Sequence, residues 1–164
     1  MLIAIKRSDN GVSIMKVHKP LEGMTQEQAI AREIAEWERV VSQQFGWTAI
    51  GYRVVQESEL HYQSKGKRFR AAWRFAGSID GPIVVDLGEA RKERRQELET
   101  HREKVLARLR DKIDEAEENG QTAKVANLKA KRKNLRALDL AAKVLEVATV
   151  EALDTFTPVE FAEP

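Results

Sequence analysis

The sequence predicts an α+β protein: a small N-terminal antiparallel sheet with one packed helix, followed by a long antiparallel helical hairpin and an extended C-terminal tail. Three observations lead to this fold class. Two short β-prone runs flank Asn10-Gly11, an amphipathic helix follows them, and apolar residues recur at steps of three, four and seven between residues 86 and 146. The corresponding domains are a head over residues 1–86, a hairpin over residues 87–147 and a tail over residues 148–164.

The chain is predicted to begin with a β-hairpin formed by residues 2–7 and 12–17. Asn10-Gly11 between them supplies the positive φ angles that a tight hairpin turn requires. Residues 47–56 are rich in aromatic and β-branched side chains and predict a third strand. The hairpin and this third strand are the first three strands predicted for the head.

A helix is predicted between the second and third strands. Thr25 is its N-cap, and Gln28 three residues later completes a capping-box pattern. Gly46 closes it, because glycine tolerates the left-handed conformation common at helix ends. The predicted apolar face consists of Ile30, Ile34, Trp37 and Val41.

Two more short strands are expected at residues 71–75 and 83–85, after a polar loop with its tip at residues 64–67. All three tryptophans fall at positions that point inward in these patterns. The predicted core of the head is Ile3, Ile5, Ile14, Ile30, Ile34, Trp37, Val41, Ile50, Val54, Trp73 and Phe75.

The helical hairpin is predicted to start at Asp86 and to turn at Asn119-Gly120, with Thr122 capping the return helix. Its apolar seam is narrow, so each arm needs a partner helix. The seam residues are Leu98, Val105, Leu109, Ile113 and Ala116 in the first arm, and Val125, Leu128, Leu135, Leu138, Ala142 and Leu145 in the second.

Thr149 is expected to cap a short third helix over residues 150–154, and the rest of the tail is expected to lie extended because it contains two prolines and no helical period. Phe156, Pro158 and Phe161 are its predicted anchors on a neighbouring protein.

Composition excludes several classes of function. The chain has no cysteine, which removes disulfides, thiolate catalysis and thiolate metal sites. No apolar run approaches the roughly 20 residues of a membrane span, and residues 1–7 lack the pattern of a secretory signal peptide. We therefore expect a protein made in the cytoplasm, without a membrane span.

No catalytic, cofactor-binding or metal-binding constellation is recognisable. His18, His61 and His101 are scattered, and none has a metal-ligand spacing. Gly66-Lys67 is followed by arginine where a phosphate-binding loop needs serine or threonine. The sequence thus predicts a protein that is not an enzyme and needs no cofactor.

Two basic segments raise the alternative of nucleic-acid binding. The surface they would form includes Lys65, Lys67, Arg68, Lys131 and Arg132. Phe69 and Trp73 lie among the cations of the first segment, where their rings could stack on bases. Burial of both rings in the core is the favoured interpretation. The net charge is only +2, and the first hairpin arm is rich in carboxylates that would neutralise the second segment. The sequence therefore favours solvated or salt-bridged cations.

Four segments resemble small proteins of tailed bacteriophages and prophages, encoded beside tail-tip and tail-fibre genes. The shared features are an FRxAW box, a Val-Asp entry into a helix, and a closing Ala-Thr-x-Glu-x-Leu. The four segments are residues 68–73, 83–92, 135–141 and 148–153, and the three features lie in the first, second and last of them. The resemblance covers roughly the last hundred residues.

The resemblance implies a non-enzymatic structural component of a phage tail tip, baseplate or tail-fibre attachment region, acting as a docking strut. Its partners would be other phage tail or fibre proteins and copies of itself, for example as a trimer around the tail axis. It would be found in the host cytoplasm during assembly and then in the virion. Two alternatives remain open: a tail-fibre assembly chaperone, and a nucleic-acid-binding regulator that uses residues 65–74.

Overall fold

The computed structural model describes residues 1–60 and 65–162, and the side chains of residues 1–60 and 69–162. It confirms the predicted α+β class. The chain divides into two compact units, Met1–Ala90 and Arg91–Pro164. Within the described residues, no helix combines the length and the apolar character needed to cross a bilayer.

The described residues of the first unit form five strands in two antiparallel sheets. β1 (Leu2–Arg7), β2 (Val12–Lys16) and β3 (Ala49–Val55) form a sheet in the order β2-β1-β3, while β4 (Trp73–Phe75) pairs with β5 (Ile83–Val85). The predicted hairpin is present, and Asn10 has a positive φ of 63°. Gly11 does not have the positive φ that the sequence pattern predicted for it. Of the predicted loop tip, residue 64 lies outside the described residues.

Helix α1 (Gln26–Phe45) has the predicted ends. The backbone N–H of Gln28 donates to the Thr25 hydroxyl at 3.2 Å, and the Gln28 side chain accepts from the Thr25 N–H at 2.8 Å. Gly46 ends the helix with a φ of 69°. The capping box and the glycine stop are both confirmed.

Strand β1 is apolar at its first four positions, 2–5, because both of its faces are covered there. Alternate side chains of a strand point to opposite sides of the sheet. Ile3 and Ile5 pack with Ala29 and Ile30 of α1, whereas Ala4 packs in a separate cluster with residues of the second sheet. That cluster contains Ala4, Val12, Val55, Leu60, Trp73, Phe75 and Ile83. The first unit is thus a helix, a central sheet and a second small sheet in layers.

Two predicted core residues lie on the surface instead. Ile50 is 60% exposed and Val54 is 48% exposed. Strand β3 is at the edge of the sheet, and the pairing register shifts between Lys6 and Arg7, which leaves Ile50 as a bulge. The prediction was wrong because strand order, which the periodicity does not specify, decides which strand is covered.

Helix α2 (Leu87–Glu118) has 32 residues and is about 48 Å long. Asp86 starts it as predicted, since its Oδ1 accepts from the Glu89 N–H at 2.8 Å. Gly120 makes the predicted turn with a φ of 65°. Helix α3 (Thr122–Ala137) returns, but its N-cap is Gln121 and not Thr122.

The seam of the hairpin is confirmed for α2 and for most of α3. All five predicted seam residues of α2 are buried, as are Leu128 and Leu135 of α3. The predicted continuation is wrong, because the return helix breaks after Ala137 and a new helix, α4 (Leu140–Leu145), begins.

The break has a local cause. Leu138 is extended, with a ψ of 120°, and the Asp139 side chain caps α4 by accepting from the Ala142 N–H at 3.0 Å. The phase of burial changes at this point, so Leu140 and Val144 face inward. Leu145, a predicted seam residue, is consequently 64% exposed.

The chain ends with α5 (Val150–Thr155) and an extended segment. Thr149 caps α5 as predicted, accepting from the Ala152 N–H at 3.2 Å. The segment contains one 3₁₀ turn, Val159–Phe161, which the sequence did not predict. Its aromatic side chains pack against the hairpin.

Candidate docking surfaces

Arginines of α2 hold the returning chain through its backbone carbonyls. Arg94, with a side chain only 5% exposed, donates to the Phe156 carbonyl from both Nε, at 3.1 Å, and Nη2, and its Nη1 lies 2.8 Å from Glu97 Oε2. Arg91 Nη2 donates to the Val147 carbonyl at 2.7 Å. Phe156 is the C-cap of α5, where a helix leaves acceptors unsatisfied, and Val147 follows the C-cap of α4. The second unit thus fixes its own tail.

The three predicted anchor residues all contact the hairpin of their own chain or lie buried beside it. Phe161 is 4% exposed, belongs to the seam cluster and stacks on His101 with 5.1 Å between ring centroids. Phe156 is partly buried against the same cluster, and Pro158 is buried. A partner would reach the Phe161 ring only if the tail left the hairpin. The proposed contact of these residues with a neighbour stays a prediction.

The predicted basic surface stays a prediction, because most of its side chains lie outside the described part of the chain. Lys65, Lys67 and Arg68 have side chains outside the described part of the chain. Lys131 donates from Nζ to a backbone carbonyl of the tail. Arg132 instead lines a groove between α2 and α3.

This groove has a volume of about 340 Å³ and a strongly basic lining. Leu106 and Ala107 supply its apolar part. The charged residues that line it are Arg102, Glu103, Arg110, Arg132 and Arg136. We call it the arginine groove. It brings together cations that are 34 residues apart in the sequence, between Arg102 and Arg136.

Most of the positive charge in the arginine groove is not neutralised by the described residues. Arg110 Nη2 lies 3.4 Å from Asp111 Oδ1, a long ion pair at an exposed position. The Nε of Arg132 is shielded from solvent and has no hydrogen-bond partner. Among the residues with described side chains, neither Arg132 nor Arg136 forms an ion pair.

The expected neutralisation of the return helix by the first arm is seen near the tip of the hairpin. There, Lys129 Nζ lies 2.7 Å from Glu117 Oε1. It does not extend to the arginine groove, where only Glu103 brings a carboxylate into the lining. A rich supply of carboxylates on one helix does not place them opposite the cations of the other.

The first unit has an exposed apolar stripe on its edge strand β3. Ile50, Tyr52 and Val54 are 60%, 41% and 48% exposed. Edge strands with exposed apolar side chains are places where other chains add to a sheet or pack on it. The sequence pattern did not indicate this stripe, because Ile50 and Val54 alternate as core residues of a strand do.

Arg7 organises the turn of the β1–β2 hairpin. Its guanidinium makes two 2.9 Å bonds to the Asp9 carboxylate and lies 3.9 Å from the centroid of the Trp47 ring. A side chain at Gly11 would begin 1.8 Å from Arg7 Nη2, so the guanidinium would have to leave this position if Gly11 were replaced. Trp47 also stacks on Phe45, at 4.5 Å between centroids, and is half-buried instead of fully inward as predicted.

The Arg7 contact affects the charge state of Asp9. Partial burial acts to raise the pKa of the carboxyl, but the hydrogen bonds from the Arg7 guanidinium and the Gly11 N–H, with the nearby positive charge, outweigh it and lower the pKa below its ordinary value of 3.8. This carboxylate therefore stabilises the turn in its charged form.

The other predicted exclusions concern the histidines. His18 Nδ1 lies 3.3 Å from Glu33 at an exposed position, and His101 stacks on Phe161. His61 lies outside the described residues. No group of three histidine or carboxylate side chains that could hold a metal ion occurs in the part of the chain that was described.

The chain matches no protein-family model, and neither a curated protein nor a solved structure matches it.

Proposed function

We propose that this protein is a non-enzymatic structural component of a bacteriophage tail tip, baseplate or tail-fibre attachment region, where it acts as a docking strut. The proposal starts from the resemblance of the FRxAW box and the closing Ala-Thr-x-Glu-x-Leu to small proteins from that region of tailed phages. The observations on the two units are consistent with it, because their prominent surfaces are suited to binding and not to chemistry.

The observation that carries the proposal is the self-contained hairpin. Its apolar residues are used in its own seam and in holding its own tail, as Leu109, Leu135 and Phe161 illustrate. What remains on the outside of α2 and α3 is mainly charged, including the arginine groove. A helix pair that is stable within one chain and presents charge outward can set a distance between partners without changing its own fold.

The test is a quantitative mass-spectrometric inventory of purified particles of the phage that encodes the chain. We expect peptides from both units at a fixed ratio to a tail protein of known copy number. A second preparation, from a phage with this gene deleted, should lack the neighbouring tail or fibre component as well. Absence of the chain from intact wild-type particles would reject a structural role.

A tail-fibre assembly chaperone is the second candidate, and the apolar stripe of β3 favours it. A chaperone needs an exposed apolar surface that is covered by its client and uncovered again after release. Such a protein would be required for soluble fibre and missing from the finished particle. The same inventory, combined with the yield of soluble fibre in cells that lack the gene, separates the two roles.

A further inference from the structure

The arginine groove concentrates positive charge in a way that the fold does not explain. Four arginines and one glutamate line it, which gives a formal local charge of about +3. Arg132 and Arg136 are one helical turn apart on α3, about 6 Å, and Arg102 and Arg110 are about 12 Å apart along α2. Like charges at this spacing repel one another and destabilise a helix pair slightly. An anion in the groove would remove that cost.

The guanidinium groups in the groove also have unused hydrogen-bonding capacity. Each guanidinium carries five N–H donors. Arg102 uses one of them on the Leu138 carbonyl at 3.2 Å, and Arg110 makes only the long contact to Asp111. The Arg132 Nε has no partner although solvent does not reach it. Planar guanidinium forks of this kind match a carboxylate or phosphate bidentately.

We infer that the arginine groove binds an acidic segment of a partner protein, whose carboxylates pair with Arg102, Arg110, Arg132 and Arg136. In an extended peptide, side chains on one side recur about every 6.6 Å, which is close to the spacing of Arg132 and Arg136 along α3. The apolar side chains of the groove suit the methylene groups of glutamate.

The carboxylates around the groove favour a short acidic peptide over a long nucleic acid. Glu103 lies in the groove itself, and Asp111, with a side chain 70% exposed, stands beside Arg110. A chain of regularly spaced phosphates would meet these carboxylates as well as the arginines, whereas a peptide can place neutral residues opposite them. The net charge of only +2 points the same way. The choice of a protein as occupant rests on the proposed function, in which the partners are other tail proteins.

The experiment measures binding of a fluorescein-labelled (Glu-Gly)4 peptide to the purified full-length chain by fluorescence anisotropy at low ionic strength. A (Gln-Gly)4 peptide of the same length is the uncharged control probe. The groove variant is Arg132→Gln with Arg136→Gln. Its matched control is Lys124→Gln with Lys133→Gln, which removes the same charge from exposed positions of the same helix outside the groove lining.

We expect the acidic peptide to bind and the uncharged one to bind at least about tenfold more weakly. The groove variant should lose about tenfold in affinity, which corresponds to about 1.4 kcal/mol, while the lysine control should change by about twofold or less. Replacing Arg132 and Arg136 by lysine should give an intermediate loss, because lysine keeps the charge but lacks the planar fork. Circular dichroism checks that each variant folds, and the exposed Arg136→Gln change alone gives the readout if the double variant does not.

Three results would overturn the inference. The wild-type chain could fail to prefer the acidic peptide over the uncharged one. The groove and lysine variants could lose affinity equally, which would show a general charge effect. Finally, inorganic phosphate or a 12-nucleotide oligothymidylate could displace the peptide at lower concentration than unlabelled (Glu-Gly)4 does, which would make the groove a phosphate site. None of these results bears on whether the chain is found in particles. The proposed function is therefore tested separately, by the mass-spectrometric inventory.

Discussion

Replacing Leu135 by alanine is expected to lower the free energy of unfolding by about 3 kcal/mol. Leu135 is completely buried in the seam between α2 and α3. Leu145, a second leucine of the returning chain, is 64% exposed. The simple periodic pattern assigns both residues to the seam and so predicts similar losses of stability, whereas the structure predicts a large loss only at Leu135. Truncating each residue to alanine distinguishes the two predictions.

The magnitudes follow from burial. Burying a leucine side chain contributes roughly 1.5–3 kcal/mol of transfer free energy, and truncation inside a packed seam adds a cavity cost, so Leu135→Ala lies within the range of about 2–5 kcal/mol known for core leucines. Leu145 has little transfer free energy to lose and leaves no closed cavity. Its truncation should cost about 0.5 kcal/mol.

The assay is urea unfolding of the full-length chain followed by circular dichroism at 222 nm, with wild type, Leu135→Ala and Leu145→Ala measured side by side. The midpoint should fall markedly for Leu135→Ala and barely for Leu145→Ala, with similar slopes. Equal losses at the two positions, or a loss below about 1 kcal/mol for Leu135→Ala, would refute the burial reasoning and with it the break between α3 and α4.

Three further predictions concern caps, tail and pH. Thr25→Ala should cost about 1 kcal/mol in a urea titration, because it removes the side-chain acceptor of the α1 capping box; no measurable change would contradict the cap. Phe161→Ala should speed limited proteolysis of the tail several-fold, whereas Val159→Ala, at a side chain 81% exposed, should not, and equal rates would show that the tail is not held by the ring. Because the pKa of Asp9 is lowered in the folded state, its stabilising charge is fully present above its ordinary value of 3.8 and is lost as the pH falls through the folded pKa. Stability measured from pH 6 to pH 2 should therefore fall less steeply for Asp9→Asn than for wild type, and parallel curves would rule out this contribution.

Features with a local chemical signature were predictable from the sequence. The turn at Asn10, the capping box at Thr25 and the glycine stops at Gly46 and Gly120 all depend on residues within a few positions of one another. The seam of α2 was equally predictable, because a helix with one apolar stripe needs a partner and the chain offers one after the turn.

Features that depend on the arrangement of elements were not predictable in the same way. The order β2-β1-β3 exposes Ile50 and Val54, and periodicity does not specify strand order. The break before α4 did leave a signal in Asp139, a good N-cap residue, but the apolar steps through Leu138 outweighed it. Predicting the arginine groove would require knowing which faces of α2 and α3 lie side by side. The sequence shows only that Arg132 and Arg136, four residues apart, lie on the same face of α3.

The most direct test of the account is whether α2 and α3 pair within one chain. The chain has no cysteine, so Glu103→Cys with Arg136→Cys gives two unique sites for spin labels on opposite walls of the arginine groove. A paired hairpin predicts strong dipolar broadening between the labels in a sample diluted with unlabelled protein, which suppresses contacts between copies. Labels separated by about 50 Å, as 33 residues of uninterrupted helix would place them, would contradict the hairpin and the proposals built on it.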